Sequence, residues 1–540
     1  MVDPADTVRS YHRQSTHHPN RYAPGPHGLD WANQPDPFRC FAGAAQVTLP
    51  LAAHRLATTY DALYRDAVEP SAIGLESIAA LFQLSLGISA WKAYGTSKWA
   101  LRCNPSSGNL HPTEGYVAGH GLPGLAAGVY HYVSRDHVLE HRAAPLQGDW
   151  QVLPADGLVV GLSSIYWREA WKYGMRAYRY CQHDCGHAIA ALRYAAAALG
   201  WRAILLDHCG DDDIAALLGL DRAADFTDAE AETPEALLWI GPGCASPDIE
   251  SLVAQVRGAQ WFGKANRLSA NHVRWEMIAR VDQAARKPRT PPLPTIQPAA
   301  LPAIAATAAG MAAPTLFLQR RSAVDFDAVT GCSGAAFFRM LDALLPRTGI
   351  PVWDALPWTP QVHLGLFVHR VHGVAPGLYI LARDPSALPW LRAKLRRDWV
   401  WEAVQDCPKH LPLRLLVEAD VRDEARTIAC HQDIAADSVF SLGMLARFGD
   451  NLERGAWRYR WLHWEAGILG HVLYLEAEAA GLRATGIGCF FDDEMHRLMG
   501  IEDETLRTLY HFTVGGAIDD PRLTTLPPYA HLESERGLAR

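Results

Sequence analysis

The feature that most constrains this chain is an internal repeat. Residues 177–203 (AYRYCQHDCGHAIAALRYAAAALGWRA) lie without a gap over residues 458–484 (RYRWLHWEAGILGHVLYLEAEAAGLRA), at an offset of 481 − 200 = 281. Tyr178 meets Tyr459, Arg179 meets Arg460, Asp184 meets Glu465, Gly186 meets Gly467 and Gly200 meets Gly481. The register runs on through Asp211-Asp212 over Asp492-Asp493 and Leu217 over Leu498. Each copy reads as an alanine- and leucine-rich helix of about six turns that stops at a glycine. So long an ungapped match makes the chain two diverged copies of one unit.

The most proline- and alanine-rich stretch, residues 287–314, keeps neither a helical nor a strand period and reads as the connection between the copies. We expect an N-terminal arm over residues 1–40, a first half over 41–260, a connecting segment over 261–314 and a second half over 315–540. A chain of 540 residues, 49% hydrophobic and 20% charged, has material for two cores. Short β-branched or aromatic runs such as GVYHYV (128–133) and GLYIL (377–381) alternate irregularly with helices. That pattern predicts an α+β layered fold in each half. No Gly-x-Gly-x-x-Gly loop follows a strand, which argues against a Rossmann domain.

A net charge of −8 and a pI near 6.3 offer no attraction to nucleic acid or an anionic membrane, so small or neutral substrates fit better. The opening residues lack the apolar core of a secretory signal, and the longest apolar stretch, 188–206, is interrupted by Arg193 and Arg202. Ten cysteines without regular spacing read as reduced thiols. Together these predict a cytoplasmic enzyme.

Three strings carry candidate chemistry. NPSSGNLHP (104–112) combines hydroxyls, an amide and a glycine in a loop, which suits the polar edge of a planar ring or its polyol, and equally suits a tight self-capped loop. QRRSAVDF (319–326) sets Arg320 and Arg321 beside Ser322, a fork of donors suited to phosphate, or an exposed solvated pair. ATGIGCFFDD (484–493) has Gly486 and Gly488, where main chain can approach a ligand, or a plain helix-to-strand connection. Its repeat partner, AILLDHCGDD, carries Leu205 and Asp207 at the two glycine positions. A fourth string, Cys181-x-His183-x-Cys185-x-His187, puts its cysteines and histidines on nearly opposite helix faces, so no metal site is expected and the four read as packing residues.

These strings, with YHRQSTHH, LDWANQPDPFR, WKYGMRAYRYCQHDCGHA, LHWEAGILG and DDPRLTTLPPY, resemble the nitroreductase family of flavoproteins, and in particular its azoline-dehydrogenase (SagB-type) branch. The resemblance implies an α+β fold that ordinarily dimerises with FMN at the subunit interface, here as a nitroreductase-like fold duplicated in one chain. It puts Arg320, Arg321, Ser322 and Arg522 on the flavin phosphate and ribityl chain, although Val324 stands where the family usually has a second arginine. Pro105, Ser106, Ser107 and Asn109 would line the ring or polyol. Gly486, Ile487, Gly488 and Cys489 would pass the ring, with the N–H of Gly488 or Cys489 facing flavin N5. Lys172 and Tyr173 match the branch's pair that moves a proton beside the flavin.

The first half keeps the serine loop but lacks the arginine-serine start and the glycine segment. The second half has both, with LPWTP (356–360) where its own serine loop should be. One composite site, and one FMN per chain, are therefore expected. The implied activity is dehydrogenation of an azoline-like or peptide-derived heterocycle, by a monomeric pseudo-dimer or a homodimer. A nicotinamide-driven reductase of nitro or quinone compounds, and a non-catalytic partner in a modifying complex, are the alternatives.

Overall fold

The computed structural model describes residues 3–65, 68–150, 152–243, 246–294, 297–298, 300–307 and 310–535. Two antiparallel sheets dominate it. The first runs in the order Gln260–Trp261, Val138–Ala144, Gly128–Val133, Thr113–Gly119, Leu158–Ser164, Thr233–Gly241, Arg202–Leu205. The second runs Glu402–Ala403, Leu413–Glu418, Gly377–Leu381, Val362–Val368, Phe440–Arg447, Leu506–Gly515, Arg483–Ile487. The two orders match except at the outermost strand: Gln260–Trp261 comes last in its sheet's chain order, whereas Glu402–Ala403 precedes the strand it pairs with. The repeat helices, Ala177–Ala198 and Arg458–Ala479, keep the offset of 281 at both ends.

Strand alternation explains the near-continuous apolar runs. Val117, Val160 and Leu238 of the first sheet, and Leu364, Leu366 and Val368 of the second, face one core that both halves share. Their neighbours Tyr116, Val159 and Leu237 pack outward under the Asp211–Leu218 and Ile249–Arg257 helices, and Phe367 does the same in the second half. Each sheet is thus covered on both faces.

Both repeat helices are buried almost throughout, and they cross where each has a glycine. A β-carbon on Gly186 would lie 2.3 Å from the carbonyl oxygen of Trp464, and one on Gly467 would lie 2.2 Å from that of His183. His183 and Trp464 are themselves repeat equivalents, so the contact is reciprocal, as at a two-fold interface. Only glycine permits backbones to approach this closely.

The N-terminal arm, whose role the sequence left open, braces the halves. Its helix Pro4–Gln14 sets Tyr11 edge-on to Tyr178 of one repeat helix at 5.5 Å and to Tyr459 of the other at 6.2 Å. Near the other terminus, Thr524–Leu526 pairs with Ile88–Tyr94 of the first half, which pairs in turn with Ser97–Arg102. The connecting segment contains a helix of its own, Glu276–Ala284. Among the described residues, no helix is long and apolar enough to cross a membrane.

Candidate functional site

A cavity of about 980 Å³ opens between the halves, and residues from all three candidate strings line it. The serine loop enters from the first half, between Ser97–Arg102 and Thr113–Gly119. Asp184 of the repeat helix anchors it, accepting from the backbone N–H of Ser107 at 3.1 Å and from its hydroxyl at 3.0 Å. Ser106 Oγ accepts from the His111 N–H, and the Asn109 amide donates to the Ala100 carbonyl. Gly108 sits at φ +60°, and a β-carbon there would lie 2.4 Å from the Tyr173 hydroxyl. The loop and Tyr173 are therefore packed against each other on the wall.

From the second half, the Ala313–Gln319 helix delivers Arg320, Arg321 and Ser322. The Arg320 guanidinium crosses to the first half, donating to the carbonyls of Cys103 and Arg102 at 3.3 and 3.1 Å, while its Nη1 is buried without a partner among the described residues. Arg321 donates to the Ser89 hydroxyl and carbonyl. Burial, and then the neighbouring Arg320 charge, pull its pKa down to about 10. Ser322 Oγ lies 2.8 Å from the Tyr474 hydroxyl, which also accepts from the Gly486 N–H at 3.1 Å. One phenol thereby ties the arginine-serine start to the glycine segment.

The glycines are needed at that third wall. A β-carbon on Gly486 would lie 1.8 Å from the Tyr510 hydroxyl, and one on Gly488 would lie 2.6 Å from the Tyr180 ring. The Gly488 carbonyl accepts from Arg176 at 2.9 Å and Tyr180 at 3.0 Å. The N–H of Cys489, trans to that carbonyl, points the opposite way. Ile487 and Cys489 complete the segment along the wall.

Two expected residues stand apart. Arg522 is exposed and paired with Asp520 at 2.7 Å, and lies outside the lining although Asp520, Pro521 and Leu523 belong to it. Lys172 is also off the wall, its ammonium 5.2 Å from the Tyr173 ring centre. The reading of His187 as a packing residue is corrected: it lines the cavity, 3.3 Å from the Tyr510 hydroxyl, because the face of the helix opposite Cys181 and Cys185 turns toward the second half. His183 stacks on the same tyrosine at 4.2 Å, and both cysteines are fully buried.

Several lining residues escaped the motif reading. Lys92 and Arg483 bring further positive charge near Arg320 and Arg321, with Arg483 paired to Asp519. Tyr180, Tyr474 and Tyr510 come from the repeat helices and a buried strand next to the sheet edge, where aromatics look like core. Asp184 carried a usable signal, its place in the repeat. Burial pushes its pKa up to about 7 against the hydrogen bonds from Ser106 and Ser107 that oppose the shift. Burial, then Arg320, takes His187 down to about 3. Tyr173 is held well above the ordinary phenol range by burial and then by Glu169.

The repeat-related position has different walls. A cavity of about 600 Å³ is lined there by Arg202, Ala203, Ile204 and Leu205, equivalents of the residues from Arg483 to Gly486, and by Leu356 to Pro360 in place of a serine loop. Leu205 stands where Gly486 stands, and Trp358 stacks on Trp461 at 4.3 Å.

Residues 398–516 match the Nitroreductase family model. That stretch covers most of the second sheet, its repeat helix and the glycine segment, so the likeness to the nitroreductase family model is carried by the second half. A crystal structure from Anabaena variabilis ATCC 29413, provisionally described as a nitroreductase, superposes with a TM-score of 0.67 at 20% identity, over 95% of this chain and 99% of that one. At this identity the likeness establishes the fold, and it spans both halves. Weaker likenesses are to the Escherichia coli microcin synthetase McbBCD complex with truncated pro-MccB17 bound (TM-score 0.27, 13% identity, 37% of this chain and 70% of that one) and to a Ralstonia eutropha JMP134 protein also provisionally described as a nitroreductase (0.25, 17%, 42% and 100%). No protein with a curated description matches the chain.

Proposed function

We propose that the chain is an FMN-dependent oxidoreductase that dehydrogenates an azoline-like or peptide-derived heterocycle, with one FMN held between its halves. The observation that carries this reading is the convergence of the serine loop, the arginine-serine start and the glycine segment on one cavity. The donor set fits the cofactor. Among the described residues Arg320 keeps a buried N–H without a hydrogen-bond partner, and Lys92, Arg321 and Arg483 add the charge a phosphate needs. Gly486 and Gly488 keep the main chain free of side-chain bulk where a flat ring would lie against it.

In this reading Arg320, Arg321 and Ser322 hold the phosphate end, and Arg522 could join only by leaving Asp520. Pro105, Ser106, Ser107 and Asn109 border the ring or polyol. Gly486, Ile487, Gly488 and Cys489 pass along the ring, with the N–H of Gly488 or Cys489 toward its redox-active edge. When bound, the flavin supplies two-electron acceptance. Tyr173, on the wall, and Lys172 beside it would relay the proton that leaves the substrate carbon: because burial raises the phenol, Tyr173 would take up that proton only as it passes its own on to the Lys172 amine. A chain that brings both halves needs no second copy to complete the cavity, so a monomer suffices for binding. A surrounding modifying complex is compatible with it.

The test is to purify the chain, add FMN, remove excess and offer thiazoline and oxazoline compounds anaerobically. Retained flavin that bleaches on substrate addition is the expected result. Failure to retain flavin would sink the cofactor assignment. Bleaching by NADH or NADPH alone, with every azoline inert, would replace the dehydrogenase reading by a nitro- or quinone-reductase one.

A further inference from the structure

Cys489 lines the cavity, and its sulfur lies 2.8 Å from that of Cys430. Nothing in the proposed dehydrogenation uses either thiol. The two cysteines come from segments far apart in sequence that are stitched together. The Phe491 N–H donates to the Ile428 carbonyl at 2.8 Å, and the Gln432 amide bridges the carbonyls of Cys489 and Ala429 at 3.0 and 2.7 Å. Cys430 and His431 both adopt left-handed backbone, φ 54° and 60°, in the tight turn that brings the Cys430 sulfur forward. The sulfurs are held together by the fold on both sides.

The surroundings make one of them reactive. His17, from the N-terminal arm, also lines the cavity and hydrogen-bonds the Cys489 sulfur. Its Nδ1 accepts from the Ala23 N–H at 2.9 Å, so the neutral ring carries its proton on Nε2, which leaves that N–H for the sulfur. Burial keeps the imidazole neutral. The hydrogen bond shared with Cys430, the one from His17 and the Arg176 charge all favour a thiolate at Cys489, and its pKa falls well below the ordinary thiol range, while Cys430 is raised. A thiolate beside a second thiol is the arrangement of a nucleophile and its resolving partner.

We propose that Cys489, on the cavity wall, and Cys430 beside it form a dithiol–disulfide couple, which passes two electrons between the flavin site and a soluble low-molecular-weight disulfide. The flavin end of this couple rests on the reading above; the thiol chemistry does not. The Cys489 thiolate attacks one sulfur of RSSR, forming a mixed disulfide and releasing RS⁻. The Cys430 thiol then loses its proton and displaces the second RS⁻, closing the Cys430–Cys489 bond. Counting the proton that Cys489 released on becoming a thiolate, the pair has lost two electrons and two protons, and the two RS⁻ take up those protons to become two RSH. In the opposite step the intramolecular disulfide takes two electrons and two protons from the reduced cofactor and opens to two thiols. The couple thus gives the enzyme a route for electrons that does not need oxygen.

The full-length chain loaded with FMN, and its Cys430→Ser variant, are treated with oxidised glutathione, freed of it, mapped by mass spectrometry without reduction, and titrated anaerobically with dithionite. The expected wild-type result is a peptide pair cross-linked through Cys430 and Cys489 and an uptake of four electrons per chain. Cys430→Ser should take two electrons and show no cross-link. Uptake of two electrons by both proteins, with Cys430 and Cys489 both open to iodoacetamide after oxidation, overturns the couple. A cross-linked chain that retains no flavin leaves the couple standing, but overturns its link to the cavity together with the cofactor assignment.

Discussion

Arg179 of the first half donates to Asp492 of the second at 2.9 Å, and its repeat equivalent Arg460 donates back to Asp211, the equivalent of Asp492, at 2.6 Å. All four side chains are buried. The relation is that of a two-fold interface, written within one chain. Burial alone would raise the Asp492 carboxyl, but Arg179 and Arg176 overcome it and hold the group well below the usual aspartate range. A depressed carboxylate contributes stability that is complete above the ordinary aspartate pKa and is lost as pH falls through the folded value.

Asp492→Asn should therefore destabilise the whole chain by about 3–5 kcal/mol at neutral pH, because two buried arginines lose their counter-charge. Urea unfolding by tryptophan fluorescence reads this directly. A loss below about 1 kcal/mol would mean that the cross-half pair does not hold the halves together.

Flavin released from the purified protein should approach one equivalent per chain, since the repeat-related cavity has Leu205 and Trp358 where the first has Gly486 and the serine loop. Ser107→Leu in one half and Arg321→Glu in the other should each abolish retention. A ratio near two, or sensitivity to only one of the substitutions, would contradict a shared site.

Gly486→Ala puts a methyl 1.8 Å from the Tyr510 hydroxyl, so either that ring or the main chain must shift, at a cost of about 1–3 kcal/mol. Adding Tyr510→Phe removes the clashing oxygen. The double variant should recover part of the stability and flavin retention lost in the single one, which thermal unfolding and flavin absorbance would show. No recovery would place the strain elsewhere, most simply in the backbone.

Much of this architecture was legible because the repeat fixes one half once the other is read. The offset of 281 aligned the two helices, their glycines and the acids; that the helices cross at those glycines and that the acids pair across the halves is seen only in the structure. The serine loop and the glycine segment were readable as strings because loops carry their chemistry in sequence order. What the strings could not show is what comes from across a sheet or from the other half. Tyr474, Tyr510 and Tyr180 look like core aromatics until the crossing of the two halves turns them onto one wall. The sequence of the helix does not show that His187 meets a cavity, and the family resemblance that places Arg522 on the phosphate carries no sign of its pairing with Asp520.

Asp184 and Glu465 anchor equivalent loops with different partners. Glu465 accepts from the Gln361 and Val362 N–H groups and from the Arg383 guanidinium, whereas Asp184, among the described residues, is held by Ser106 and Ser107. A carboxyl raised from its ordinary 3.8 to about 7 adds stability below the unfolded value, and that stability is lost as pH rises toward the folded one. Asp184→Asn should flatten this dependence: unfolding free energy between pH 4 and 7 should fall less steeply in the variant, by up to about 1.4 kcal/mol per pH unit. Parallel curves for the two proteins would show that Asp184 ionises normally.

The last prediction separates chemistry from binding. Tyr173 packs against Gly108 of the serine loop, and its ring also meets Tyr180 edge-on at 4.6 Å, so Tyr173→Phe keeps the packing and removes only the hydroxyl. Lys172 touches the cavity only through that ring. If the pair moves the substrate proton, Tyr173→Phe should leave flavin content and unfolding nearly unchanged while lowering turnover by about two to four orders of magnitude, the usual cost of losing a positioned acid or base. Lys172→Ala should lower it less, because it removes a neighbour of the acting group rather than the group itself. The loss should fall on the chemical step, seen as slowed anaerobic bleaching of the flavin by substrate in a single turnover. Unchanged bleaching in both variants, with flavin bound normally, would make the pair structural and remove the residue-level support for azoline dehydrogenation, leaving the cofactor assignment intact.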